Sequence, residues 1–186
     1  CFLQCSRMKL SEPVNYIRSD WIRPEDLRHY EALGYDRFKL AERNAPTDVM
    51  VRRVRAYSEG RYDGNLLDLV QGWGFESGRD PSRYFRRGLF WNLRTFLRPW
   101  VVNPLRLRKI QRLAEVQGML NPLRGQPPVV VDNRALDGFL KFFSRVDCHE
   151  RDCEECRYCH RVAERAVRID PEFRREVLRR YDEVLD

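Results

Sequence analysis

Lysine is nearly missing from this chain of 186 residues: four lysines stand beside 31 arginines. Histidine is just as scarce, at three residues, and no Ser/His/Asp set, H-E-x-x-H helix or phosphate-cradling glycine loop is present. Peptide hydrolysis therefore has no recognisable machinery here. No apolar stretch approaches the ~20 residues of a bilayer span, and no signal peptide is visible. Cysteine is sparse too, at six residues, yet its placement is far from even.

Cys148, Cys153, Cys156 and Cys159 form a C-x4-C-x2-C-x2-C run with His160 directly behind it. Three thiolates at a repeated gap of two suit the ligand loop of a [4Fe–4S] cluster. Zinc sites more often pair two separated C-x2-C or C…H units, so zinc is the alternative. A disulfide cluster needs an oxidising compartment, for which there is no sign, and the run reads as that of a reduced, cytoplasmic protein. At about 100° per residue, positions i, i+3 and i+6 fan over roughly 120° of a helix, so a curled loop is the expected host. Because metal ligation supplies folding energy to a small metal domain, losing one ligand is expected to loosen the chain from about 145 onward. His29 and His149 have no partner arrangement, and His160 is a weak ligand candidate beside four thiols.

The charge is +7 but unevenly spread. Residues 79–124 hold ten arginines and one lysine against Asp80 and Glu115, a local +9 that leaves the remainder slightly acidic. Tyr84, Phe85, Phe90, Trp91, Phe96 and Trp100 lie among those cations. Cations for phosphate and rings for stacking read as an RNA surface. Aromatics at helical spacing read equally as a core with solvated arginines on the other face.

Arg23-Pro24-Glu25-Asp26 predicts a helix start, and Gly34 its stop. Asp36 to Leu40 reads as a short strand. Thr47 then caps a helix through Val49 and Tyr57 that Gly60 ends. Val129 to Val131 predicts a strand, with Asp132 or Asn133 capping a helix through Leu136, Phe139, Leu140 and Phe143. Asp170-Pro171 opens a terminal helix on Phe173, Val177, Leu178 and Tyr181. Helix, strand, helix in that order is how the units of a parallel α/β barrel look.

Residues 22 to 57 read IRPEDLRHYEALGYDRFKLAERNAPTDVMVRRVRAY. This resembles the signature region of the collagenase-like peptidase family of unknown catalytic type: a proline-led helix, a glycine, FKIEGR, a turn, and a helix closing in AY. Phe38, Lys39, Leu40 and Arg43 match, while Ala41 and Glu42 stand where the family has Glu-Gly. The resemblance implies an α/β, helix-rich fold, the closing βα units of a TIM-type barrel followed by a helical, cysteine-rich C-terminal region. The expected units are 1–77 (end of the barrel), 78–125 (arginine and aromatic helices) and 126–186 (cysteine-rich tail). It also implies grouped cysteines on an iron–sulfur cluster, with Cys1 and Cys5 at the end of a group whose partners lie upstream, so that the chain is the C-terminal part of a longer protein. Relatives named as peptidases sit beside others that hydroxylate RNA bases or a quinone precursor, which makes RNA, a peptide or a small anionic molecule the expected substrate and a redox donor the expected partner.

On a strand, Lys39 and Arg43 lie two steps either side of Ala41 and share a face. The resemblance turns that face toward the barrel mouth, where the pair would bind a carboxylate or phosphate. A surface salt bridge with Glu42 or Glu31 is the other reading.

Overall fold

A computed structural model describes residues 2–19, 21–40, 47–70 and 127–185. Helix α1 spans Phe2–Ser11 and α2 Val14–Ile17. A 3-10 turn, Pro24–Asp26, leads into α3, Leu27–Ala32, and then come α4, Thr47–Glu59, and α5, Leu67–Val70. Strand β1 is Val129–Val131, followed by a 3-10 turn at Arg134–Leu136 and by α6, Phe139–Phe143. The cysteine segment supplies α7, Cys153–Cys156, and α8, Tyr158–Ala166. Strand β2, Val167–Ile169, and α9, Pro171–Leu185, close the chain.

One apolar core joins the two ends of the sequence. Leu10, Val14 and Ile17 meet Leu66, Leu67, Val129, Val131, Leu136, Val162, Ala166, Val177 and Tyr181 in a single buried cluster. Described residues from the expected barrel unit and from the expected tail therefore share a core. Arg7 Nη2 donates to Asp182 Oδ1 at 2.7 Å and Arg174 Nη2 to the Ser11 carbonyl at 2.7 Å, tying α1 to α9.

The strand pair is antiparallel, with Val129 opposite Ile169 and Val131 opposite Val167. Asn65 stitches α5 to its free edge. Its Nδ2 donates to the Val129 carbonyl at 3.0 Å, and its Oδ1 accepts from Val131 N at 2.9 Å and Leu67 N at 3.2 Å. A buried side chain that replaces ladder bonds in this way satisfies backbone groups that would otherwise be stranded.

The segment Arg23 to Asp26 does more than begin a helix. Arg23 is 2% exposed. Its Nε and Nη2 grip both Asp26 oxygens at 2.7 and 3.0 Å, and its Nη1 reaches the Asn133 carbonyl at 2.7 Å and Asp137 Oδ1 at 3.0 Å. Asn133 Nδ2 in turn donates to Glu25 Oε1 at 2.9 Å and to the Tyr62 carbonyl at 2.7 Å, while Tyr62 N donates to the same Glu25 oxygen at 2.7 Å. Tyr57 hydroxyl closes the set on the Ile22 carbonyl at 2.5 Å.

Two sequence expectations give way. Asp36 to Leu40 has no strand geometry and is largely solvent-exposed, and no strand among the described residues lies beside it to pair with. The helix expected through Leu136 to Phe143 breaks in two: Asp137 turns extended with ψ 129° and Gly138 takes φ 76°. Asp137 thereby reaches Arg23, and a left-handed residue that glycine tolerates makes the break.

On α9, Glu176 accepts from Arg179 and Arg180, whose guanidinium groups lower its carboxyl to about 2 from 4.5. A depressed carboxyl contributes stability above its ordinary value and loses it as pH falls toward 2. A carbon-13 titration of Glu176 is expected to show that low midpoint, and Arg179→Ala to move it up. An unshifted midpoint in the unsubstituted protein would show that solvent screens the ladder away.

Candidate metal centre

The cysteine segment is neither a plain loop nor a continuous helix. Asp147 Oδ1 accepts from His149 N at 2.8 Å and holds a 3-10 turn at Cys148–Glu150. Asp152 Oδ1 accepts from Glu154 N at 2.9 Å and caps α7. Arg157 then adopts φ 47° and ψ 17°, the sole non-glycine residue with positive φ among those described. A left-handed arginine costs about 1 kcal/mol. It interrupts the helical fan of the run and starts α8 in a new direction.

The result is convergence. Cys148, Cys153, Cys156 and Cys159 all line one small cavity of about 30 Å³, together with Arg18, Phe142, Phe143, Arg151, Arg157 and Tyr158. Cys148 and Cys153 are exposed and the other two half-buried. Phe142 and Tyr158 stack at 3.8 Å between centroids, and Tyr158 hydroxyl donates to the Phe139 carbonyl at 3.1 Å, so the inner wall is aromatic and fixed. Burial, helped by neighbouring Cys156 and Cys153, pushes the Cys148 thiol up. Burial also pushes the Cys159 thiol up, against a hydrogen bond and the charge of Arg18. Among the described residues no three His, Cys, Asp or Glu side chains form a set that could hold a single ion. The four cysteines share a cavity wall without forming such a set.

The donor set is chemically apt for a soft metal centre: four thiols, no competing carboxylate on the cavity wall, and an aromatic back. The enclosed space is about that of one water, and anything larger uses the open side, where the two exposed thiols lie.

Of the other expected ligands and contacts, those among the described residues do not line this cavity. Cys5 is exposed on α1, away from the cavity lining, and Cys1 lies outside the described residues. His160 is absent from the cavity wall; its Nδ1 is buried without a hydrogen-bond partner. Lys39 is exposed at the edge of a separate cavity of about 700 Å³ that Trp21, Tyr30, Arg53 and Tyr57 also line. Arg43 lies outside the described residues, as does the arginine-rich stretch 79–124. Without a strand at Asp36 to Leu40, the shared face of Lys39 and Arg43 loses its geometric basis. Arg18 was the residue that motif reading passed over. It is a single exposed arginine in a chain full of them, 130 positions before the first of the four cysteines.

No helix among the described residues is long and apolar enough to cross a membrane. The chain matches no known family profile and no solved structure. It is similar to a curated protein of Methanocaldococcus jannaschii named an uncharacterized protease, at 24% identity over 166 residues. The match covers 89% of this chain and 34% of that relative, so the chain spans about a third of the relative's length.

Proposed function

We propose that the chain is the iron–sulfur-binding part of a collagenase-like peptidase-type enzyme, with Cys148, Cys153, Cys156 and Cys159 as the ligands of one [4Fe–4S] cluster. The observation that carries this reading is the convergence of all four thiols of the C-x4-C-x2-C-x2-C run on one cavity. The similarity to a protein named as a protease and the resemblance of residues 22–57 to the peptidase signature support the wider assignment. When bound, the cluster supplies a one-electron redox couple or a structural anchor. The chain's own residues do the rest. Arg157 breaks the helical run between Cys156 and Cys159, Asp147 and Asp152 hold the two turns that carry Cys148 and Cys153, and Phe142 and Tyr158 form the aromatic wall of the cavity. With no nucleophile and base in a recognisable arrangement, we place the whole enzyme among those that modify or mature an RNA, a peptide or a cofactor.

Anaerobic reconstitution with ferrous iron and sulfide tests the reading. Iron and acid-labile sulfide in equal amounts, about four of each per chain, and broad absorption near 400 nm are expected from a cubane core on four thiolates. Stoichiometric zinc without sulfide, from protein purified in the absence of oxygen, would replace the cluster by a tetrahedral zinc site. Such a site draws the four sulfurs to on the order of 4 Å from one another.

A further inference from the structure

We infer that Arg18 is a positioning residue of the cysteine site, set beside the four thiols to favour the reduced state of the bound core. The inference rests on the cluster reading above and extends it to a residue outside the motif.

Arg18 is not part of the cysteine segment. It closes α2, where its backbone N–H bonds the Val14 carbonyl at 3.0 Å. Val14, Tyr16 and Ile17 are all buried, so the helix that carries Arg18 is anchored in the core. α2 packs against α8, the helix that bears Cys159. Arg18 lines the same cavity as the four thiols, and Cys159 is the one of them that packs against the apolar core. Two other arginines, Arg151 and Arg157, also border the cavity; all three are exposed, but these two belong to the cysteine loop itself. A guanidinium delivered from a second, core-anchored element is different in kind: it stays where it is when the loop moves.

The electrostatics follow from that placement. Reduction of a thiolate-bound cluster adds one electron, and so one negative charge, with no compensating proton. A fixed cation beside the ligand sulfurs favours the reduced form, since nearby charge is among the levers that set such potentials. Against the ring faces of Phe142, Phe143 and Tyr158 that charge is screened less than it would be in open water.

The test is a dithionite-driven spectroelectrochemical titration of the reconstituted full chain, compared with Arg18→Gln, Arg18→Lys and Arg151→Gln. Arg18→Gln is expected to disfavour reduction about tenfold, a fall of about 59 mV for one electron, with iron and sulfide content unchanged. Arg18→Lys, which keeps the charge and loses the planar fork, falls between the two. Arg151→Gln moves the potential less than Arg18→Gln does. Should the glutamine variant load poorly, a lysine variant with normal loading and a lowered potential carries the same conclusion. Equal potentials at equal iron content in the unsubstituted and Arg18 variants would overturn the role of Arg18 while leaving the cluster intact. An unsubstituted protein that takes up no iron would overturn the cluster reading, and this inference with it.

Discussion

Replacing Arg23 by methionine is expected to cost about 4 kcal/mol of folding stability, roughly a thousandfold in the folding equilibrium. The estimate follows from what the substitution strands rather than from what it deletes. Methionine fills much of the same channel, so the cavity left is small. Asp26, 15% exposed, loses both of its donors, and the Asn133 carbonyl loses a bond of 2.7 Å to a cation. A half-broken buried ion pair is worse than none, because the remaining carboxylate stays out of water without a partner. Asp137 provides the contrast. It bridges to the same guanidinium at 3.0 Å but is 72% exposed, so Asp137→Asn should cost no more than about 1 kcal/mol. Urea unfolding followed by far-ultraviolet circular dichroism measures both. If the two variants unfold at the same urea concentration, Arg23 is a surface cation in effect, and the network around it is not what joins residues 23–26 to the turn after β1. Domains of this size hold only about 5–15 kcal/mol in total, which makes the Arg23 variant marginal.

The same residue shows where sequence reading succeeds and where it stops. Local signals were legible: Thr47 and Gly60 bracket α4, with Gly60 at φ 63°, and Asp170 caps α9 by accepting from Phe173 N at 2.7 Å. Val129 to Val131 is the strand its β-branched run predicts. The acids after Arg23 were legible as helix-start charges but not as partners of a side chain 108 residues away, since Glu25 and Asn133 meet only in three dimensions. β2 was missed because Val167-Arg168-Ile169 follows α8 directly, with no glycine, proline or polar turn to mark the change. Asp36 to Leu40 read as a short strand but has no strand beside it among the described residues, and an extended segment without a partner is not a sheet. At the cysteines, spacing singled out the four that line one cavity. It could not show the left-handed Arg157 between Cys156 and Cys159, nor Arg18 arriving from α2.

Cys156→Ser is expected to remove most of the iron taken up on reconstitution and to loosen a short stretch only. A serine hydroxyl is a poor ligand beside a thiolate, and ligation supplies folding energy to the segment that wraps the metal. From sequence alone that segment would run from about 145 to the C terminus. The structure narrows it. Between 145 and 157 the side chains are exposed or half-buried, and the turns rest on two aspartate caps. Beyond them, Val162 is 2% exposed, Ala166 0%, Val177 0% and Tyr181 0%, all inside the common core. Full burial of one such side chain contributes about 1.5–3 kcal/mol for valine or larger residues, whether or not a metal is present. Hydrogen exchange on reconstituted protein should therefore accelerate through 145–157 in the variant and stay slow in the second half of α8 and in the middle of α9. Acceleration reaching Val177 would mean that the metal, and not the apolar core, holds the C-terminal helices. Unchanged exchange in 145–157, with iron lost, would mean that the aspartate caps and the Phe142–Tyr158 stack alone keep the loop in place.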